Sequence, residues 1–347
     1  MRIAQVLAGS AHGGAENFFV RLVSGLQHYP ALQQQAFIRP HPERVATLEQ
    51  SGLTVSGFRF GGPLDLFGHL RYQQALNRFQ PDIVMTWMNR ATRLTPPGNY
   101  RLVARLGSYY NLKHYRHCDY WIGISRGICH YLTDNGMPAD RVFHIPNFVH
   151  EAPVTPIPRD SYDTPADAPV ILAAGRLHEK KGFDVLIRAL AQIPEAILWL
   201  AGTGPEESSL KKLAAAEGVT GRIRFTGWCD NLAALLQTAD LFVCPSRHEG
   251  LGSVVLEAWF NGCPVVATRA QGPEELIDGG KTGLLTPVDD IPALAEAING
   301  LLNEPSRRES LASQARVRYD SEYSQAMILE QYRDLFETLM ERQSGRR

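Results

Sequence analysis

The stretch His248-Glu249-Gly250-Leu251-Gly252-Ser253-Val254-Val255-Leu256-Glu257 follows the apolar run Leu241-Phe242-Val243 and leads into an amphipathic segment that ends at Asn261. An apolar run, a pair of glycines and a helical period predict a strand, a turn and a helix in that order. Glycine lets a backbone approach a ligand closely, and the first N–H groups and the dipole of a helix favour negative charge. Glu249 stands just before the glycines, and Glu257 is placed two turns inside the helix. Carboxylates accept hydrogen bonds and donate none, so two of them beside an anion site suit a ligand that carries hydroxyls as well as phosphate. A sugar nucleotide has both groups. A glycine turn followed by an ordinary helix with Glu257 on a solvated face accounts for the same residues, so this stretch alone leaves two readings open.

A second stretch favours the sugar nucleotide. Val170-Ile171-Leu172-Ala173-Ala174 reads as a buried strand, and Gly175-Arg176-Leu177-His178-Glu179-Lys180-Lys181-Gly182 follows before a helix from Phe183. Arg176 and Lys181 fall in one turn, where a guanidinium fork and an ammonium point charge suit a diphosphate. The plainer alternative is a solvated basic turn.

The set Gly175-Arg176, Lys181-Gly182, and Glu249 with Glu257 after seven intervening residues, preceded by Pro245-Ser246, resembles the nucleotide-sugar half of the retaining glycosyltransferase family 4, the glycosyl transferases group 1. Gly202-Thr203-Gly204-Pro205 and Phe225-Thr226-Gly227-Trp228, each after a strand, match that family's order. The likeness is strong over residues 170–300 and looser in the first half. It implies an α/β chain of GT-B fold, with two Rossmann-like domains facing an interdomain cleft. It also implies a hexosyltransferase-like enzyme that transfers a sugar with retention from a nucleotide donor, UDP-sugar being the commoner in the family. Arg176 and Lys181 would neutralise the diphosphate. Gly250, Leu251, Gly252 and Ser253 would add N–H donors. Glu257 would hold the ribose, Glu249 the transferred sugar, and the edge at Trp228-Cys229 the base. The resemblance implies that the leaving phosphate would help to deprotonate the acceptor, so no protein nucleophile is assigned. No Asp-x-Asp occurs in the chain, which favours transfer without metal or other cofactor.

In the first half, Ala11-His12-Gly13-Gly14-Ala15-Glu16 follows a predicted strand Ile3–Ala8 and resembles the family's glycine loop, near the donor's leaving phosphate or the acceptor. It is not Gly-x-Gly-x-x-Gly, so a dinucleotide reading is not supported. Relatives place a histidine near Trp87-Met88-Asn89-Arg90, where this chain has Asn89. His12, Asn89, Arg90 and Tyr109 are therefore the candidate acceptor contacts, the last because aromatic rings stack on sugars. Further strands are expected near residues 35–38, 54–58, 82–86, 102–106, 120–124 and 142–145, and in the second half near 196–201, 223–226, 241–243, 265–267 and 283–285. Strand–helix alternation with short connections predicts parallel sheets covered on both faces.

Six prolines between Pro146 and Pro169 mark a stiff interdomain linker. The expected domains are an acceptor-binding one over 1–160 and a donor-binding one over 161–323. A last helix at about 324–345 would pack back on the first. A length of 347 residues suits two domains. Residues 1–160 hold 16 Lys+Arg against 10 Asp+Glu, and the remainder 19 against 26, so the halves carry +6 and −7. A basic first half suits an anionic glycan, glycolipid or lipid surface. Five scattered cysteines without Cys-x-x-Cys argue against zinc and disulfides and for a reducing cytoplasm. No run approaches the ~18 apolar residues of a membrane span. The expectation is a cytoplasmic enzyme, peripheral on the inner membrane, that acts on a bacterial envelope acceptor such as lipopolysaccharide core and has no nucleic-acid partner. A binding protein that kept the nucleotide site without catalysis, or a nucleotide-sugar epimerase on the same fold, is the alternative.

Overall fold

The computed structural model describes residues 1–11, 13–61 and 65–344, with side chains to residue 341. It divides into two compact units, Met1–Asn147 with Gln325–Arg347, and Phe148–Ser324.

The first unit holds β1 (Arg2–Leu7), β2 (Gln33–Ile38), β3 (Thr54–Gly57), β4 (Ile83–Trp87), β5 (Arg101–Leu106), β6 (Tyr120–Gly123) and β7 (Val142–His144). They form a parallel sheet in the order β3-β2-β1-β4-β5-β6-β7. The second holds β8 (Val170–Ala174), β9 (Ile197–Ala201), β10 (Ile223–Gly227), β11 (Leu241–Cys244), β12 (Val265–Thr268) and β13 (Leu284–Thr286), in the order β10-β9-β8-β11-β12-β13. Its ladders are parallel as well. The strands read as unbroken apolar runs because both faces are covered: Val170, Ile171, Leu172 and Ala173 are each fully buried. Ile171 and Ala173 share a cluster with Leu186, Leu190, Leu198 and Val243. Each valine, leucine or isoleucine among them contributes roughly 1.5–3 kcal/mol on burial.

In both sheets the strand order reverses direction once, between β1 and β4 and between β8 and β11. Parallel sheets of this kind bind ligands beyond the carboxyl ends of the strands on either side of that switch point, because the loops there diverge and leave room. The Gly175–Gly182 turn leaves β8 and the Pro245–Gly252 turn leaves β11, so the topology brings the two stretches read from the sequence to one place.

Two expectations need correction. The proline-rich segment is not a spacer between the units. It begins the second unit and is stitched to it: Arg159 binds Asp240 at 2.9 Å, Trp199 Nε1 donates to Thr164 Oγ1 at 2.9 Å, and Thr238 Oγ1 donates to the Ile157 carbonyl at 2.6 Å. The division therefore falls at 147/148 rather than at 160/161. Proline content makes a segment stiff, and its free carbonyls remain available to distant donors.

The last helix, Gln325–Ser344, belongs to the first unit. Ile328, Tyr332, Phe336 and Leu339 recur at helical spacing and are fully buried. Gly25 faces Leu329, where a Cβ would come within 2.9 Å of both methyl carbons. Arg105 Nε donates to Tyr332 Oη at 2.9 Å.

Candidate functional site

In the second unit, Glu179–Lys181 form one turn of 3-10 helix, closed by Gly182 in the left-handed region (φ 64°). The turn aims Lys181 at the loop after β11. Lys181 Nζ and Glu249 Oε1 form an ion pair, and Ser246 Oγ donates to the same oxygen at 3.0 Å. Ser246 is almost fully buried, and the Glu249 side chain is 13% exposed. Burial works most strongly on the Lys181 ammonium and against it, but the Glu249 charge, Cys244 and the Glu249 hydrogen bond together hold the lysine pKa above its ordinary value. The two cations of this turn thus differ. Lys181 is already paired, whereas Arg176 is exposed and makes no hydrogen bond or ion pair among the described residues.

A second clamp holds the same two loops. The Arg247 guanidinium grips Asp184 with two bonds of 2.8 Å and donates to Asp289 at 2.6 Å and to the Glu179 carbonyl at 2.7 Å. The Arg247 and His248 N–H groups both donate to the Lys180 carbonyl, at 2.8 and 3.3 Å. Neither Asp184 nor Arg247 was a candidate from the sequence, and no local pattern pairs them. Burial pushes the Asp184 carboxyl up, but the Arg247 hydrogen bonds and charge bring its pKa below the usual carboxylate value. A depressed pKa means that this stabilisation is complete above about pH 4 and disappears as pH falls through the lowered value. Asp184→Asn is expected to cost about 1–2 kcal/mol at pH 7. Thermal melts of both proteins at pH 7 and at pH 3 check this: the gap between them should narrow at pH 3, and an equal gap would contradict it.

The helix Ser253–Phe260 starts from Gly252 in the left-handed region (φ 81°), an N-cap residue without a side chain to make a capping hydrogen bond. The loop before it is rigid: Leu251 is buried and Gly272 N donates to the Glu249 carbonyl at 3.1 Å. Because the helix begins at Ser253, Glu257 lies just over one turn inside it rather than two, and is half-buried. Trp228 follows β10, two strands from β8, and is 54% exposed, with its Nε1 bonded to Asp230 Oδ1 at 2.6 Å.

In the first unit, Gly13 and Gly14 open the helix Gly14–Leu26 beyond β1. The loop is held by the last residue of the Ala11–Glu16 stretch, to which the sequence reading gave no role of its own. Buried Glu16 accepts from Ser10 N and Oγ at 2.7 and 2.9 Å, and its carboxylate fills the space where a Cβ on Gly13 would stand. Arg44 donates to the Ser10 and Ala11 carbonyls at 2.7 and 2.8 Å. Burial lowers the Arg44 pKa, and Glu16 opposes the shift. His12 lies outside the described residues.

Asn89 and Arg90 lie in the helix Met88–Leu94, beyond β4 and so across the switch point from the glycine loop. Met88 enters that helix at φ 63°, an uncommon conformation for a residue with a side chain. The Asn89 Oδ1 is shut off from solvent without a hydrogen-bond partner among the described residues. An acceptor in that condition is a candidate ligand contact. Arg90 is exposed. Tyr109 is 40% exposed and meets Tyr131 edge-on at 5.4 Å. Arg105, nearby in sequence, is buried under two ring faces, Phe18 and Trp87, at 4.6 and 4.5 Å.

The profile of the family described as glycosyl transferases group 1 matches residues 155–318. The chain is also 37% identical over 328 residues to the lipopolysaccharide core biosynthesis glycosyltransferase LpsE of Rhizobium meliloti (strain 1021), covering 93% of this chain and 95% of that one. The chain belongs to the glycosyl transferases group 1. This group 1 glycosyltransferase is also 34% identical to LpsD of the same organism, over 97% of its own length and 98% of the relative's. Among solved structures it resembles Anabaena Alr3699/HepE in complex with UDP and glucose, with a TM-score of 0.85, 22% identity, and 97% and 99% of the two chains covered. That likeness shows the fold, which is GT-B. No helix of this group 1 enzyme, among the described residues, is long and apolar enough to cross a membrane.

Proposed function

We propose that the enzyme moves a sugar, with retention of configuration, from UDP-sugar to a glycan or glycolipid acceptor of the bacterial envelope, in the class of lipopolysaccharide core, at the cytoplasmic face of the inner membrane. The observation that carries the reading is the pair of loops locked by Lys181–Glu249 and Arg247–Asp184 at the switch point of the second sheet. HepE, solved with UDP and glucose, and LpsE, named for lipopolysaccharide core biosynthesis, support the choice of donor and acceptor.

Arg176 and Lys181 bind the diphosphate, and the N–H groups from Gly250 to Ser253 add to the same anion. As the bond between the anomeric carbon and phosphate oxygen breaks, negative charge grows on the phosphate, and these groups stabilise it. The acceptor hydroxyl attacks from the same face, and its proton passes to the departing phosphate oxygen. Glu249 accepts from hydroxyls of the transferred sugar while its Oε1 stays with Lys181 and Ser246. Glu257 accepts from the ribose, and the Trp228 edge borders the base. Gly13 and Gly14 lie against the donor, while His12, Asn89, Arg90 and Tyr109 hold the acceptor. The chain has no Asp-x-Asp, and two cations take the place of a metal at the diphosphate.

Calorimetric titration with UDP, GDP, CMP and NAD in the presence of EDTA tests the donor half. UDP alone is expected to bind, about tenfold or more weaker in Lys181→Ala and in Glu257→Ala. Binding that needs added metal, or that neither substitution changes, sinks the assignment.

A further inference from the structure

Away from the nucleotide-site candidates, the first unit has a cavity of about 360 Å³ whose walls carry four arginines. Arg39 follows β2, Arg59 follows β3, and Arg90 and Arg93 lie on the helix after β4. Three strands of the run β3-β2-β1-β4 thus deliver guanidinium groups from their carboxyl ends around one hollow. None of the four side chains makes a hydrogen bond or ion pair among the described residues. Four arginines of the second unit are placed differently: Arg159, Arg188, Arg247 and Arg316 meet carboxylates at 2.9, 3.4, 2.8 and 2.9 Å. The carboxylate beside the cavity is committed elsewhere. Asp65 accepts from Gly61 N at 3.0 Å and from Gly68 N at 3.1 Å, capping the helix Leu66–Phe79.

Four like charges around a hollow repel one another, and none of the four is ion-paired among the described residues. An oxyanion with several acceptor oxygens would offset the repulsion: planar guanidinium forks match phosphate, and each bond is charge-assisted. The helix that Asp65 caps adds a second feature. Its first turn exposes Leu66, Phe67 and Leu70 by 65, 84 and 53%. Phe60, which lines the cavity, packs against Tyr72 of that helix with ring centres 5.1 Å apart. An apolar turn thus lies beside an anion-seeking hollow, an arrangement that suits a phosphate carried at a lipid surface.

We propose that the Arg39–Arg59–Arg90–Arg93 cavity is a phosphate-binding site that holds the phosphorylated part of the acceptor, with the Leu66–Leu70 turn against its lipid. The inference rests on the acceptor half of the function proposed above and gives that acceptor a charge. One phosphate chemistry has two sources, a phosphorylated sugar of the acceptor or the headgroup of an anionic bilayer lipid.

The test uses the full chain, Arg59→Gln/Arg93→Gln, and a control, Arg78→Gln/Arg116→Gln, which removes the same charge from exposed positions outside the cavity. Each is titrated with inorganic phosphate and glucose 6-phosphate, and sedimented with phosphatidylcholine vesicles with and without phosphatidylglycerol. Wild type and control are expected to bind, and the cavity variant to lose about tenfold or more per arginine. Loss on glucose 6-phosphate assigns the phosphate to the acceptor sugar. Loss confined to the anionic vesicles assigns it to the bilayer lipid. Equal binding by all three proteins, or no binding of any probe by wild type, overturns the site. UDP titration and thermal melts of the same variants keep the outcomes apart. Normal melts show that the variants fold, and UDP binding reports on the donor site of the other unit whether or not the cavity binds phosphate.

Discussion

Lys181→Ala is expected to lower kcat/KM for sugar transfer by about 10²–10³-fold, with most of the loss in kcat. The Lys181 ammonium already faces one anion, Glu249, in a setting where Ser246 completes the carboxylate's hydrogen bonds. The group is therefore placed before substrate arrives and needs no reorganisation when phosphate charge develops. A charge placed in advance acts mainly on the transition state, because the leaving phosphate is more negative there than in the bound donor. Lys181→Arg should recover only part of the rate, since a planar fork does not replace a point charge in the space between Glu249 and the loop. Glu249→Gln keeps an acceptor for Ser246 and removes the charge that opposes the effect of burial on Lys181. The lysine pKa then falls, so the alkaline limb of the pH–rate profile should move to lower pH. A Lys181→Ala enzyme within threefold of wild type, or an unmoved alkaline limb in Glu249→Gln, would remove the pair from the mechanism.

Gly182→Ala should abolish donor binding and cost about 3 kcal/mol or more of stability. Gly182 has φ 64°, and a Cβ there would overlap the Pro245 carbonyl oxygen. That oxygen belongs to backbone and has no rotamer to escape into. The turn after β8 must then separate from the turn after β11, and the Lys181–Glu249 pair goes with it. Gly218→Ala is the matched comparison. Gly218 has φ 71°, and a Cβ there would meet nothing within 4 Å. It should cost only the left-handed conformation, about 1 kcal/mol, and leave transfer intact. Urea melts and UDP titrations of both proteins decide. Equal effects would show that backbone conformation, and not the contact with Pro245, makes glycine necessary at position 182.

The contrast between these two positions also explains what could be read from the sequence. The strands were legible because a doubly covered parallel strand is a short unbroken apolar run, as Val170–Ala174 and Ile197–Ala201 are. The turns that carry Arg176, Lys181 and Glu249 were legible because glycines mark them. Arg247 and Asp184 were not: they stand 63 positions apart, and a bidentate pair at that separation leaves no period. Arg44, which ties down the Ser10–Ala11 loop from 34 and 33 residues away, was hidden in the same way. The helix Pro42–Gln50 passed unread although its proline stands at the first helical position, a usable signal. The helix Met88–Leu94 left no signal, because it is short and opens on a methionine in a conformation that residue rarely adopts. The proline-rich segment misled because composition reports stiffness and not partners.

The chain passes from the first unit to the second at 147/148 and returns at 324/325, so the second unit is an insertion within the first. On the ribosome this sets an order. All of Phe148–Ser324 emerges before the helix that completes the earlier sheet, so the second unit can finish folding while the first still lacks Tyr332, Phe336 and Leu339. During that interval the surface around Gly25 and Arg105 is uncovered. The unit made first is thus the one finished last, and a nascent chain halted before residue 325 would hold a complete second unit and a first unit that still needs a chaperone's cover.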